Sequence, residues 1–369
     1  MKERIVVAMS GGVDSAVSAA LLKKQGYEVI GITMCFNLPD SNTKRPSCCG
    51  IQGIEDARRV AHKLGIRHYV LNFSKALKEK VIADFCQEYL EGRTPNPCIR
   101  CNQYIKFDAL LKKALSLGAK YLATGHYARI EQDTRHLPDR QAGKTQDTGY
   151  LLKKGKDKFK DQSYFLYRLN QGQLKHILFP LGNYTKEQVR KLAREFELPV
   201  AEKLASQEIC FLSNSDYRQF LKKQINARIK PGQVVDVKGN ILGLHKGIAL
   251  YTIGQREGLG IAWQYPLYIK KIDYKNNRIT VGKKEDAYSS EFLVKEPHFI
   301  LKAIKKKVAL KVKMRYNHKE TIAEVMPHAV GKLKVRFRRP QFAITPGQSA
   351  VFYDKDTVIG GGIIGMVLN

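Results

Sequence analysis

Short apolar runs alternate with helix-spaced segments through the first half of the chain. Residues 4–9 form a continuous apolar run after Arg4 and predict a buried strand. A glycine turn follows. Val13, Ala16, Val17, Ala20 and Leu21 then recur at intervals of three and four, the spacing of one helix face. Gly26 stands where that helix would be capped. Glu28 to Met34 predicts a second strand, residues 54–64 a helix, and Tyr69 to Phe73 a third strand. Helices are expected over 75–91 and 106–117, and a fourth strand over 121–124. This alternation predicts an α/β fold: a Rossmann-like parallel sheet with helices on both faces. Such sheets bind ligands at the carboxyl ends of their strands.

The second half reads differently. Residues 131–149 are polar and predict a surface insertion. Thr185 with Gln188 forms a capping box ahead of Val189, Leu192, Ala193 and Phe196, and Pro199 marks the end of that helix. Beyond about residue 230 strands shorten, and Gly239-Asn240 and Asn276-Asn277 predict hairpin turns. The division expected is a catalytic domain over 1–212, a small β-rich module over 213–277, and a C-terminal β-barrel over 278–369.

Charge sharpens this picture. The 369 residues carry 64 Lys plus Arg against 34 Asp plus Glu, a net +30. Such a surplus favours a polyanionic partner, because cations placed on phosphates release condensed counterions. A solubilising surface or a Lys-rich proteome is the alternative, and the charge alone favours nucleic acid over it. Val308, Leu310, Val312 and Met314 alternate with Ala309, Lys311, Lys313 and Arg315, and Leu333, Val335 and Phe337 alternate with Lys334, Arg336 and Arg338. Period two puts apolar groups on one strand face and cations on the other. Lys153, Lys154, Lys156, Lys158 and Lys160 form a further basic cluster.

No apolar run approaches the ~18–20 residues of a membrane helix. The N-terminal run is too short for a signal-peptide core, so the cytoplasm is the expected location. The seven cysteines, 35, 48, 49, 86, 98, 101 and 210, are odd in number. A disulfide framework is therefore not expected, and metal or redox chemistry moves forward. Cys35 and Cys86 read as buried small hydrophobes. For Cys48 and Cys49 an accessory thiol role is the expectation.

Ser10-Gly11-Gly12-Val13-Asp14-Ser15 lies directly between the first strand and the first helix. Two glycines let the backbone turn its N–H groups toward phosphate oxygens, and the helix N-terminus adds its positive end. Ser10 and Ser15 can add hydroxyl donors. No Lys follows the glycines, so this is not a Walker A loop, and the G-x-G-x-x-G pattern is absent. The hexapeptide resembles the PP-loop of ATP pyrophosphatases, which cleave ATP between the α and β phosphates and pass AMP to a substrate oxygen.

Further stretches narrow the resemblance. They are 94–102 with Cys98 and Cys101, 125–129, 160–166, 206–211 with Cys210, 252–260 and 346–353. In this order they resemble the bacterial and mitochondrial tRNA-specific 2-thiouridylase family across nearly the whole chain. That resemblance implies ATP with Mg²⁺ held by Ala8, Met9, Ser10, Gly11, Gly12, Val13, Asp14 and Ser15, with Met34 and Gly125 flanking the adenine. It implies Cys101 as nucleophile and Cys210 as persulfide carrier. Asn96, Pro97 and Cys98 would face the target uridine. Lys160, Asp161, Gln162, Arg315, Tyr316, His126 and Gln348 would touch tRNA. A wobble base would leave the anticodon stack to reach the pocket. Partners implied are tRNA and a sulfur-donor protein, either a cysteine desulfurase or a sulfur relay protein, with the enzyme itself a monomer.

The chain departs from the family at one position. Cys98 stands where many members have Asp, giving Cys98-x-x-Cys101. With Cys210 this offers three thiolates, which makes a [4Fe–4S] cluster or a zinc site an alternative to persulfide chemistry. A PP-loop amide ligase is the rival enzyme reading, and a tRNA-binding protein regulated by ATP the non-enzymatic one.

Overall fold

The computed structural model describes residues 2–36, 50–133, 149–204, 209–212 and 216–368. They divide into two compact units. The first takes the described residues of 1–80, 98–215 and 356–359, and the second those of 81–97, 216–355 and 360–369. Cys48 and Cys49, most of the 131–149 insertion, and Ser206 to Glu208 lie outside the described residues.

The first unit contains β1 (Arg4–Ala8), β2 (Glu28–Cys35), β3 (Arg67–Asn72), β4 (Tyr121–Ala123), β5 (Ala128–Gln132), β6 (Tyr150–Lys154) and β7 (Ile177–Leu178). Five of these form a sheet in the order β3-β2-β1-β4-β7, parallel at every pairing. Ile5, Val6 and Val7 are fully buried in its centre. A strand covered on both faces needs such an unbroken apolar run. Ile5 and Val7 share a core with α1 (Val13–Lys24), α2 (Ile51–Leu64) and the helix Lys186–Glu195. Val6 points to the other face, as the strand period of two requires.

Helix α1 is buried more completely than one apolar stripe predicts. Ser15, Ser18, Ala19 and Leu22 are covered along with the expected face. Small side chains let α2 and the helix Lys186–Glu195 approach it from two directions, which no periodicity could disclose. The Thr185 capping box forms as expected, with Gln188 N–H donating to the threonine hydroxyl at 3.2 Å and its side chain accepting in return. Two expected helices are less regular. Residues 74–90 run as α, π and α segments, and 102–116 as a π segment followed by an α turn. Apolar spacing reports that a segment is helical but not how many residues close each turn.

In the second unit, β8 (Gly232–Val235), β9 (Ile241–His245), β10 (Tyr268–Asp273) and β11 (Arg278–Gly282) form a sheet in the order β10-β11-β8-β9. Both expected hairpins are present, with Gly239 at φ 94° and Asn277 at φ 46°. The strands β12 (Tyr288–Phe299), β13 (Val308–Lys313), β14 (Thr321–Pro327), β15 (Lys332–Phe342), β16 (Ser349–Asp354) and β17 (Thr357–Leu368) follow. They run in the order β12-β15-β14-β13-β16-β17, and β12 pairs with β17 to close a six-stranded barrel. Closure removes the unpaired edges of an open sheet. Val312, Met314, Leu333, Val335 and Phe337 fill it as their alternation predicts. Among the described residues no helix is long and apolar enough to cross a membrane.

Candidate active site

The strand order reverses between β1 and β4, the position beyond whose strand ends open parallel sheets bind their ligands. The loop 10–15 leaves β1 at this point, and Gly125-His126 leaves β4 beside it. Gly11 adopts φ 70°, and a side chain on it would lie 2.2 Å from the Gly53 carbonyl oxygen at the start of α2. Glycine is thus required twice over, by conformation and by space. Ser15 Oγ accepts from the Ser10 N–H at 3.2 Å and donates to the Gly12 carbonyl at 3.0 Å, closing the turn on itself. Gly12 caps α1 without a side-chain acceptor, so the first helical turn keeps its N–H groups for an anion.

Asp14 is held from two sides. The Tyr127 hydroxyl donates to Asp14 Oδ1 at 2.7 Å, and Lys186 Nζ donates to the same oxygen at 2.6 Å. Burial, followed by the Asp14 charge, pushes the Tyr127 phenol far above its ordinary value, so it remains a donor. Gln162 grips Tyr127 in turn. Its Oε1 accepts from the Tyr127 N–H at 3.0 Å, and its own N–H donates to the Tyr127 carbonyl at 2.9 Å. The expected tRNA-contact motif is therefore tied to the expected nucleotide loop through one tyrosine.

A second tie runs through Lys203. Its Nζ donates to the Gly11 carbonyl at 3.0 Å and pairs with the buried carboxylate of Asp56. Gln52 Nε2 donates to Asp56 Oδ1 at 3.0 Å, and Arg59 pairs with the same oxygen. Burial opposes ionisation of Asp56, but the hydrogen bonds from Lys203, Arg59 and Gln52 outweigh it and hold the carboxyl below its usual range. Lys186, Lys203, Asp56 and Tyr127 carry no local sequence signature as site residues. Each matters only because the chain brings it to the loop.

Of the remaining nucleotide residues, Met9 is buried, and its N–H donates to the Ile32 carbonyl at 2.8 Å. Ala8 ends β1, and Met34 lies half-buried near the end of β2. A side chain on Gly125 would come within 2.8 Å of the Asp14 carbonyl carbon and 2.9 Å of the Ser15 nitrogen. The backbones of the two loops therefore nearly touch. His126 is buried against Phe107 and Phe179, with its Nδ1 2.6 Å from the Thr124 hydroxyl. Burial, and then the charge of Lys106, hold the imidazole well below its usual value. It is neutral at physiological pH.

Asp161 lies beneath its loop. Its carboxylate accepts from the Gly155 and Ser163 N–H groups at 3.0 and 3.1 Å and from the Ser163 hydroxyl at 2.9 Å. Lys160 is half-exposed on the same turn.

The second unit holds the other expected contacts. Gln348 Nε2 donates to the Thr94 carbonyl at 2.8 Å, and the Thr94 N–H donates to the Pro346 carbonyl at 2.9 Å. Gly347 packs so closely on Thr94 that a side chain would lie 2.7 Å from its nitrogen. The 346–348 turn thus fixes the chain immediately ahead of Asn96 and Pro97. Arg315 donates to the Ala343 carbonyl at 2.8 Å and to the Thr345 hydroxyl, and Lys313 stands 5.3 Å above the Tyr316 ring. Arg315 is accordingly an anchor within this unit.

Family models match three consecutive stretches. A tRNA methyl transferase HUP domain covers residues 3–214, a tRNA methyl transferase PRC-barrel domain 218–283, and an aminomethyltransferase beta-barrel domain 289–364. A tRNA-specific 2-thiouridylase of Caldanaerobacter subterraneus subsp. tengcongensis is 52% identical over 368 residues, covering 99% of this chain and 98% of that protein. One from Acetivibrio thermocellus is 50% identical over 367 residues, covering 98% and 99%, and one from Clostridium acetobutylicum 46% identical, covering 99% and 100%. The chain belongs to the tRNA-specific 2-thiouridylase family.

As a thiouridylase the chain must account for its cysteines. Cys98 and Cys101 lie one turn apart on the short helix Pro97–Cys101, Cys98 half-buried and Cys101 buried. Cys210 is half-buried in the turn at 209–212. Among the described residues no three His, Cys, Asp or Glu side chains gather to hold a metal ion. The three-thiolate alternative at Cys98, Cys101 and Cys210, whether for [4Fe–4S] or zinc, is therefore not supported among the described residues. Spacing of three on a helix brings two thiols to one face, but nothing local directs the third to them. Cys86 is buried as expected, which pushes its thiol up to about 11, whereas Cys35 at the end of β2 is only half-buried.

Next to Cys101, Asn102 is buried, and its Nδ2 donates to the Phe165 carbonyl at 3.1 Å. Its Oδ1 is matched by no donor among the described residues. That pairing ties the cysteine helix to the segment following Gln162.

Proposed function

We infer that this sulfurtransferase uses ATP to adenylate the wobble uridine of tRNA at O2 and then replaces that oxygen with sulfur carried by Cys210. The uridine oxygen attacks the α-phosphate, and pyrophosphate leaves. The loop 10–15 and the first turn of α1 receive the phosphates, and Mg²⁺ arriving with ATP offsets their charge. AMP then makes O2 a leaving group. The terminal sulfur of a Cys210 persulfide attacks C2, AMP departs, and the Cys101 thiolate resolves the persulfide. The resulting Cys101–Cys210 disulfide is reopened by an external reductant. Asn96, Pro97 and Cys98 face the uridine, with neutral His126, Lys160, Gln162, Arg315, Tyr316 and Gln348 on the tRNA side.

The Lys203 tie carries this reading. Lys203 is fixed to the Gly11 carbonyl and precedes Cys210 by seven residues. That length of chain cannot carry Cys210 more than roughly 25 Å from the Lys203 backbone. The organisation proposed is catalysis in 1–212, a small module over 213–277 and RNA contacts in the barrel of 278–369, in a cytoplasmic monomer supplied by a sulfur-donor protein. An amide-forming ligase would leave Cys101 and Cys210 without a task.

The test is to measure thiolated tRNA and pyrophosphate release separately. Cys210→Ser should abolish thiolation and spare tRNA-dependent release of pyrophosphate. Full thiolation by that variant would overturn the sulfur route. Pyrophosphate release that does not depend on tRNA would overturn the adenylation step.

A further inference from the structure

We propose that Phe159 is a stacking platform for an unpaired base of the tRNA substrate, set at a fixed offset from the nucleotide loop. Phe159 is 93% exposed. Among the described residues the other exposed aromatic side chains, Tyr69, Trp263, Tyr265, Tyr274 and Tyr288, reach only 37–47%. A phenyl ring held almost wholly in water forgoes the stabilisation that burying its apolar area would bring, and leaves its face open to a ligand.

The ring does not sit on a loose tip. Asp157 Oδ1 accepts from the Phe159 N–H at 2.9 Å and from the Lys160 N–H at 3.2 Å. Gly155 lies so close to Tyr127 that a side chain would meet its carbonyl oxygen at 2.7 Å, and Asp161 binds the N–H groups on both sides of the turn. The backbone that presents Phe159 is therefore ordered before any ligand arrives, which lowers the entropy cost of binding.

Its surroundings select the ligand. Residues 153–160 contain five Lys and one Asp. Asp157 and Asp161 are turned onto backbone N–H groups, whereas Lys156 and Lys158 are exposed and Lys160 half-exposed on the same short segment as Phe159. An apolar π-face with cations on the same segment suits a base with its flanking phosphates, and stacking on aromatic rings is how unpaired bases are held. The offset from the chemistry is set by Lys186. Its N–H donates to Asp157 Oδ2 at 2.9 Å, while its Nζ donates to Asp14 Oδ1 at 2.6 Å. One residue thus joins the platform to the nucleotide loop. This inference rests on tRNA being the substrate and adds a residue that positions it.

The test is equilibrium binding of unmodified tRNA transcripts to the full chain at several salt concentrations. Phe159→Ala should raise Kd about tenfold, and Phe159→Trp should restore binding to within about twofold, because any broad aromatic face can stack. The slope of log K against log salt should be unchanged in both, since the ring releases no counterions. In a Trp263→Phe background, the fluorescence of the 159 indole should be quenched by tRNA. Wild-type affinity in Phe159→Ala, or equal weakening in the Ala and Trp variants, would overturn the proposal. Thiolation by the wild-type chain is assayed in parallel. Its absence would end the sulfur-transfer reading while the binding comparison still decides the role of Phe159.

Discussion

The hydroxyl of Tyr127 and the carboxylate of Asp14 meet at 2.7 Å, joining the segment after β4 to the first turn of α1. Asp14 therefore has its direction set before a nucleotide arrives. Tyr127→Phe removes only the donor and keeps the ring packed. It should lower kcat/KM for pyrophosphate release about tenfold, the equivalent of one hydrogen bond to a charged group. Asp14→Asn should be the more severe change, because Lys186 then faces a neutral partner. Steady-state kinetics with ATP and tRNA varied separately would read both.

Lys203 binds the Gly11 carbonyl and the Asp56 carboxylate together, so its loss leaves a buried charge with fewer partners. Lys203→Met should destabilise the chain by about 3 kcal/mol, at the low end for a broken buried pair because Arg59 and Gln52 remain. The Asp56 carboxyl is depressed in the folded state. Its contribution is therefore fully present above the unfolded value near 3.8 and is lost as pH falls through the folded value. Acid titration followed by circular dichroism should show Asp56→Asn unfolding with a weaker dependence on pH below 4 than wild type.

His126 gives the opposite protonation partner and a different window. Burial lowers its folded value, so the unfolded chain binds a proton that the native chain refuses. Stability should fall by about 1.4 kcal/mol per pH unit as pH drops below 6.5. His126→Gln should remove the slope that sets in as pH falls below 6.5. Chemical denaturation across this range would measure it. An unchanged slope would place the proton elsewhere.

Gln348 acts through Thr94. Its amide donates to the Thr94 carbonyl at 2.8 Å, two residues ahead of Asn96. Gln348→Glu keeps the shape but loses the donor and sets a carboxylate against the Thr94 and Pro95 carbonyl oxygens. We expect thiolation to fall about tenfold with stability reduced by only about 1 kcal/mol, because the Thr94–Pro346 backbone bond remains. A primer-extension or mercury-gel assay of tRNA, with thermal unfolding alongside, separates the two effects.

Much of the first unit was legible along the chain. All four strands expected for the parallel sheet, the Thr185 capping box and the turn at residues 10–15 are local consequences of apolar runs, a hydroxyl three residues from a glutamine, and paired glycines; the fifth strand, the two-residue Ile177–Leu178, was not legible. The period-two barrel strands were equally readable, because Val335 and Lys334 must face opposite ways in any extended chain. The π segment at 102–110 was not, since apolar spacing does not count residues per turn.

The sequence by itself determined that the chain has a phosphate-receiving loop between a strand and a helix, a cationic surface and a family signature spread over its whole length. Only tertiary structure decided that Asp14 would be held by Tyr127 and Lys186 and that Lys203 would reach Gly11. Local patterns fix what a few neighbouring residues do to one backbone. A lysine's partner 172 residues away depends on how separate elements pack, and no spacing along the chain encodes that distance.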